Sequence, residues 1–351
     1  MSELLKKLMK NSTIAETALL RKSMIYGAQE FAPTPVPMIN VALSGKLDGG
    51  LTSGITMLAG PSKHFKSAFA LLLASAYLQK HKDAVLIFYD SEFGTPKNYF
   101  ESFGIDPDRV LWTPVTNVGE LNHDLAKQLE DLKRDDHVIF VLDSMGNLAS
   151  VKESQDALDG KAVADMTRAR SFKSLFRQIT APLGLKDFPF IIINHTYQTM
   201  EMFSKTVVGG GTGATYGSSD IWIIGRQQDK DSDKDLLGYH FIIRVEKSRQ
   251  LKEGSKIPIT VSFDGGIKKY SGLLELAEEG NFVAKPTKGK YQVVDLKTGE
   301  LIGPEYKEAD IVDNAEVWEK IIKEPQFKEF IAAKFLFGKT EMFENGGDDG
   351  K

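Results

Sequence analysis

Residues 59–70 read AGPSKHFKSAFA, and the fold turns on whether this stretch is a phosphate-binding loop. The general pattern is G-x-x-x-x-G-K-[ST]. Gly60, Lys66 and Ser67 stand at the required offsets, but Phe65 replaces the second glycine. The flanks favour the loop. Upstream, ITMLAG (55–60) is a short apolar run of strand type, and downstream SAFALLLASAYL (67–78) has the length and composition of a buried helix. Gly60, Pro61, Ser62, Lys63, His64, Phe65, Lys66 and Ser67 would then converge backbone N–H groups and a helix start on an anion. Lys66 can reach β/γ-phosphates and Ser67 can supply a hydroxyl to Mg²⁺. Glycine is required only where φ is positive or a side chain would meet phosphate. If residue 65 has helical φ, Phe is tolerated there with its ring turned away. The competing reading is an ordinary strand-to-helix turn. His64 reads as a loop residue rather than a catalyst.

The 351 residues suffice for one large α/β core with smaller appendages. The absence of cysteine excludes disulfides, thiolate metal sites and cysteine nucleophiles, and fits a reducing cytoplasm. The longest apolar stretch, near residues 68–78, is too short to span a bilayer, and MSELLKKLMKN has no signal-peptide core. No membrane partner is expected. A net charge of −4 means that any nucleic-acid contact must come from a local surface.

Residues 1–30 read as an N-terminal helical oligomerisation element, with Leu4, Leu5, Leu8 and Met9 on one face. In FAPTPVPM, Pro33, Pro35 and Pro37 keep an extended linker over 31–37. Apolar runs at 55–59, 84–89, 138–142, 190–194, 221–224, 239–245 and 257–263 read as strands. Helical stretches separate the early ones, which predicts a mostly parallel sheet with helices on both faces over 38–270. The later strands are spaced for antiparallel pairing. Composition changes after Asp264-Gly265-Gly266. A hairpin over 291–303 turning at Thr298-Gly299, and a helix with Val317, Trp318, Ile321 and Ile322 on one face, predict a small C-terminal α+β domain over 271–340. Residues 341–351 read as a flexible tail.

Ligands of open parallel sheets bind beyond the carboxyl ends of the strands. Here one strand ends in Asp90-Ser91-Glu92 and another in Asp143-Ser144. A carboxylate after an apolar strand suits Mg²⁺, which is assigned to Asp143 with Ser67; Glu92 is then free to act as general base. Each acid alone reads equally well as a helix cap. A further strand stops at Asn194-His195, either of which is placed to sense a terminal phosphate. It runs into a long segment with Met200, Met202, Phe203 and Lys205, ending in Gly209, Gly210 and Gly211. Long structureless loops in compact domains are usually functional. The apolar tip reads as a wedge or stacking surface for a nucleic-acid strand, or as a flap closing on its own core.

LAGPSKHFKS, FYDSEFG, FVLDSMGNLAS, IINHTY, MFSKTVVGGGTG and VEKSR occur in this order. Together they resemble the RecA-type strand-exchange recombinases, nearest to their bacteriophage UvsX-type branch. The similarity is strong across about residues 36–285. That branch also lacks the second loop glycine. The resemblance implies a RecA-like core with Lys66 and Ser67 on the phosphates and Mg²⁺, Glu92 as catalytic carboxylate and Asp143 on the Mg²⁺ side. His195 stands where the RecA proteins carry a glutamine coupling the γ-phosphate to DNA. Tyr99 matches an aromatic that stacks on adenine; as a residue it also reads as a core tyrosine. Residues 150–165 and 196–212 match the first and second DNA-binding loops. Arg170 and Arg177, i and i+7 on the intervening helix, would share a face for phosphate contacts or be solvated charges. Lys247 and Arg249, i and i+2 on an extended chain, point to one side, and in the family two lysines there reach the γ-phosphate on the neighbouring subunit.

The function implied is an ATP-dependent DNA recombinase using ATP and Mg²⁺. It would polymerise head-to-tail on single-stranded DNA and exchange it into a homologous duplex. A phage single-stranded-DNA-binding protein and a recombination mediator are the implied partners, in the cytoplasm of an infected host. The first alternative is a hexameric helicase or DNA motor on the same core. The second is a small-molecule kinase, which would need an arginine-rich lid. A non-catalytic nucleotide-gated scaffold is disfavoured by Glu92.

Overall fold

The computed structural model describes residues 2–23, 30–160, 167–200, 205–230 and 233–338. Helices α1 (Glu3–Asn11) and α2 (Pro37–Ser44) precede strand β1 (Gly54–Ala59) and helix α3 (Lys66–Lys80). Then come β2 (Val85–Asp90), α4 (Lys97–Ser102), β3 (Val110–Pro114), α5 (Val118–Asp131) and β4 (Val138–Asp143). They are followed by α6 (Val151–Leu158), α7 (Thr167–Lys186), β5 (Pro189–Asn194), β6 (Thr196–Gln198), β7 (Thr206–Val208) and α8 (Gly211–Gly217). Strands β8 (Asp220–Lys230), β9 (Leu236–Lys247), β10 (Lys256–Ser262) and β11 (Gly266–Ile267) lead to α9 (Leu273–Glu279). The last elements are β12 (Val283–Thr287), β13 (Lys290–Val294), β14 (Leu301–Lys307), α10 (Glu308–Ile311), α11 (Ala315–Ile321) and α12 (Pro325–Phe335).

Two compact units result: Met1–Pro35 with Gly50–Gly225, and Val36–Gly49 with Arg226–Lys351. The first unit is a parallel sheet in the order β8-β1-β5-β4-β2-β3. Strands β4 and β5 are buried at every position and apolar up to their last residue, as strands covered on both faces must be. One face packs on α5 and α7, where Leu121, Leu125, Phe172, Phe176 and Ile179 meet Phe140, Leu142 and Phe190 in one core. Helix α3 covers the other face, and its residues from Ala68 to Leu78 are buried almost all round. Because the strands are parallel, their carboxyl ends all emerge on one edge.

In the second unit β9, β10 and β11 pair antiparallel. A three-stranded antiparallel sheet β12-β13-β14 includes the expected hairpin, whose turn is shaped by Asp295 Oδ1 accepting from the N–H groups of Lys297 and Thr298. Trp318 on α11 is fully buried and donates from its indole to Ile311 O at 2.7 Å.

Several expectations require correction. Residues 31–37 are not a solvated linker: Ala32, Thr34 and Val36 are buried, and Pro37 opens α2 at the one helical position that needs no N–H. The compact units divide at 35/36, 49/50 and 225/226, so they do not follow the composition change near 270. Strand β3 escapes apolar patterning because it lies at the end of the sheet order, with Leu111 and Trp112 exposed. The segment after Asn194 is no structureless loop, since Thr196 pairs with Val208 and Gln198 with Thr206 in the hairpin β6-β7. The expected tail lies outside the described residues.

Helix α8 reaches α7 through two glycines. A Cβ on Gly213 would lie 2.6 Å from Lys173 Cα, and one on Gly217 would lie 2.8 Å from Phe176 Cδ1. Gly213 must therefore stay small for the helix that follows the glycine run to pack. Gly213→Ala should destabilise the protein by about 1–3 kcal/mol through overpacking, read by urea unfolding. An unchanged midpoint would mean that α7 and α8 can separate freely.

Candidate nucleotide site and nucleic-acid surface

The loop after β1 keeps the tight backbone expected of a glycine-bearing loop, although Phe65 stands in it. Phe65 is left-handed (φ 61°, ψ 19°), so the position keeps the conformation that glycine normally supplies. The helical φ that would have accommodated Phe without strain is not the one adopted. Lys63 is left-handed as well (φ 61°). The Phe65 ring turns onto α3 and meets Phe69 edge-on at 5.6 Å, an apolar contact that offsets the backbone strain. Pro61, Ser62 and Lys63 are exposed and His64 bonds the Ser62 carbonyl at 2.9 Å, as a loop residue. Gly60 must stay small, because a Cβ would come 2.9 Å from Ile224 O.

Lys66 is 6% exposed and donates to Pro61 O at 2.8 Å, across its own loop. Burial pulls its ammonium below the ordinary lysine range, while the carboxylates of Glu92 and Asp143 act the other way. A cation buried among carboxylates at a helix start is suited to phosphate oxygens. Ser67 Oγ donates to Asp143 Oδ2 at 2.7 Å, joining the loop to the end of β4. Asp143 is 3% exposed and its Oδ1 has no hydrogen-bond partner. Burial pushes this carboxyl up to about 6, against the Ser67 hydrogen bond, with Glu92 and Asp90 adding to the rise. An orphaned buried carboxylate oxygen beside a hydroxyl is a donor set that fits a hard divalent cation such as Mg²⁺.

Parallel pairing sets Asp90 level with Asp143 across β2 and β4. Asp90 turns inward. It accepts from the N–H groups of Glu92 and Phe93 and from the Trp112 indole at 3.0 Å, so it shapes the turn. Glu92 is thereby projected over the sheet edge. Ser144, fully buried, donates to Glu92 Oε1 at 2.6 Å, and Ser91 Oγ is bonded to both N and O of Ser144. His195 Nε2 lies 3.3 Å from the same Glu92 oxygen. A Cβ on Gly146 would lie 2.3 Å from His195 Cδ2, so that glycine makes room for the ring. Asn194 is excluded as a phosphate sensor: it is buried and spends its amide on Gly209 O and its oxygen on His195 N–H.

Lys66, Ser67, Asp143, Glu92 and His195 thus converge at one edge. Tyr99 on α4 is half-buried and edge-on to Phe103, and burial followed by the Asp143 charge raises its phenol. Arg170 and Arg177 are both exposed on α7. Helix α6 occupies most of the expected first DNA loop, and residues 161–166 lie outside the described residues. Lys205 is exposed just before β7, Met200 is fully exposed, and Met202 and Phe203 lie outside the described residues. Gly209 donates to His195 O, while Gly210 and Gly211 are left-handed at the start of α8. Lys247 ends β9 in the second unit. The i, i+2 geometry does not extend to Arg249, because Ser248 Oγ accepts from the N–H groups of Gln250 and Leu251 and turns the chain. Ser144, Ser91, Asp90 and Gly146 are the residues sequence reasoning did not single out. Apart from the Asp90 turn to Glu92 and Phe93, their partners are distant in the chain, and only the polar run at the strand ends could have flagged the first three.

Two outcomes follow from this geometry. Phe65→Ala keeps the left-handed strain and loses the ring contact, so it should be less stable than Phe65→Gly by about 1 kcal/mol in thermal or urea unfolding. Equal stabilities would remove the strain account. For Asp143, the folded carboxyl titrates near 6 against an ordinary 3.8. The fold favours the neutral form, so the stability from this group is full below the unfolded value and is lost as pH rises through about 6. In metal-free buffer, Asp143→Asn should gain on the order of 1–3 kcal/mol at about pH 8 and little at about pH 4, while losing stabilisation by added Mg²⁺. A pH-independent gain would mean that charge burial is not its source.

Comparison with known proteins places these features. Residues 270–331 match the family described as Bacteriophage T4, Recombination and repair protein, C-terminal domain. The chain is 47% identical over 347 residues to the recombination and repair protein of Enterobacteria phage T4, covering 98% of this chain and 88% of that one. It is 26% identical over 310 residues to Protein RecA of Rippkaea orientalis, covering 86% and 85%. Protein RecA of Borrelia hermsii matches over 280 residues at 25%, covering 78% and 75%. With its parallel RecA-like sheet and C-terminal α+β segment, the chain belongs to the family of the phage T4 recombination and repair protein, UvsX, whose RecA relatives it also resembles.

Proposed function

We propose that this protein acts in DNA recombination and repair as an ATP-dependent recombinase, polymerising on single-stranded DNA and exchanging it into a homologous duplex. The observation that carries the reading is the convergence of Lys66, the Ser67–Asp143 pair and the Glu92–Ser144–His195 cluster at one sheet edge. Residues 60–67 cradle the phosphates of ATP, and Lys66 exchanges its bond to Pro61 O for phosphate oxygens. Ser67 and Asp143 would hold Mg²⁺, which would supply charge neutralisation at the phosphates. Glu92 orients and deprotonates the attacking water. The Ser144 hydroxyl holds its carboxylate in place, and His195 links it to the second loop. Tyr99 stacks on adenine.

DNA phosphates meet Arg170, Arg177 and Lys205, while the β6-β7 hairpin, its tip and Gly209–Gly211 approach the bases. Self-association in a head-to-tail filament is supported by α1, where Leu4, Leu5 and Leu8 are exposed. Lys247, with Arg249, completes the nucleotide site of a neighbouring subunit, as an arginine finger does. The host cytoplasm fits a chain in which no described helix is long and apolar enough to cross a membrane. A ring-forming motor on this core is separated by electron microscopy with single-stranded DNA and an ATP analogue, which should give filaments and not closed hexamers.

Lys66→Ala should abolish ATP turnover, whereas Glu92→Gln should keep nucleotide binding and stall hydrolysis by at least about 100-fold. Turnover by Glu92→Gln at the parent rate sinks the general-base role. Mixed Lys247→Ala and Glu92→Gln subunits should recover part of the DNA-stimulated turnover that each lacks alone. No recovery would place every catalytic group within one subunit.

A further inference from the structure

We propose that Arg168 is a positioning residue that ties the α7 arginines to the Glu92–His195 pair, making hydrolysis responsive to DNA. This rests on the recombinase reading above and assigns the regulation of that same site. The guanidinium donates through Nε to Leu148 O at 2.8 Å, and through Nη2 to Met145 O at 3.3 Å and to Gly146 O. The guanidinium carbon lies over the buried Phe172 ring, 5.6 Å from the ring centre. A cation on three successive-turn carbonyls fixes the backbone of residues 145–148 more firmly than a neutral bond would.

That turn touches both flanks of the site. Gly146 faces the His195 ring, which in turn approaches Glu92. Met145 fills the space beside Gly210, where a Cβ would lie 1.9 Å from Met145 Cε. On the other side, Thr167 Oγ1 is bonded to Ser150 Oγ at 2.9 Å, so the start of α7 is fastened next to Arg168 to the first residue of the expected first DNA loop. Arg168 sits in the first turn of α7, the helix that carries Arg170 and Arg177. A load on those two arginines therefore reaches residues 145–148 through Arg168, then the His195 ring and Glu92. Lysine carries its charge on one nitrogen and lacks the rigid fork that sets Nε on Leu148 O and Nη2 on the Met145 and Gly146 carbonyls, so it loosens the strut while keeping the charge.

The test measures ATP turnover with and without single-stranded DNA, together with DNA affinity and KM for ATP. Arg168→Lys should lower the ratio of stimulated to unstimulated turnover by at least about tenfold, with DNA affinity and KM within about twofold of the parent. Gly146→Ala, which must displace His195 without touching α7, should lower the same ratio. A merely structural loss reduces both rates together, and an unchanged ratio in Arg168→Lys overturns the inference while leaving the recombinase reading intact. A parent protein that DNA does not stimulate overturns both.

Discussion

The hydrogen bond from Ser67 Oγ to Asp143 Oδ2 joins two residues 76 apart, and the site depends on the strand register that permits it. Strand β5 lies between β1 and β4, and parallel pairing along all three sets their carboxyl ends side by side. The level pairing of Asp90 with Asp143 then fixes where Glu92 leaves β2. A slip of one residue would exchange the faces of β4 and send Asp143 to the wrong side. The apolar cores on both faces, through α3 and through α5 with α7, are what forbid such a slip.

The cost of the arrangement is carried by buried charge. Lys66 and Asp143 are both nearly inaccessible, and each is shifted toward its neutral form by burial. An unbonded carboxylate oxygen and a lysine resting on a loop carbonyl are poor arrangements for stability alone. They become favourable when phosphate and a divalent cation supply the missing charges, which is why binding at this site should stabilise the fold. The left-handed Phe65 adds backbone strain, offset in part by its contact with Phe69.

Positioning of Glu92 shows how secondary contacts complete what the strand ends begin. Asp90 shapes the turn, Ser91 and Ser144 lock the two strand ends together, and the Ser144 hydroxyl reaches Glu92. His195 approaches from β5 over a glycine. The carboxylate is thus held from two strands and approached from a third.

The strand–loop–helix around residues 60–67, the acidic strand ends and the parallel core were legible in the sequence because each is written in contiguous residues: an apolar run, a turn and a polar terminus. The same locality explains the failures. Nothing near Phe65 declares its left-handed φ, since that follows from how β1 and α3 are docked on the sheet. The proline-rich segment reads as a linker until the burial of Ala32, Thr34 and Val36 shows otherwise, and β3 lacks an apolar pattern because it ends the sheet order. Asn194 and His195 are equivalent candidates in the sequence, but the turn to Gly209 buries one and aims the other at Glu92. The sequence by itself determined which residues could do phosphate chemistry and which strands would carry them. Only the tertiary structure decided which of them meet, because hydrogen bonds between residues 52 to 103 apart depend on strand order and register, which no local pattern encodes.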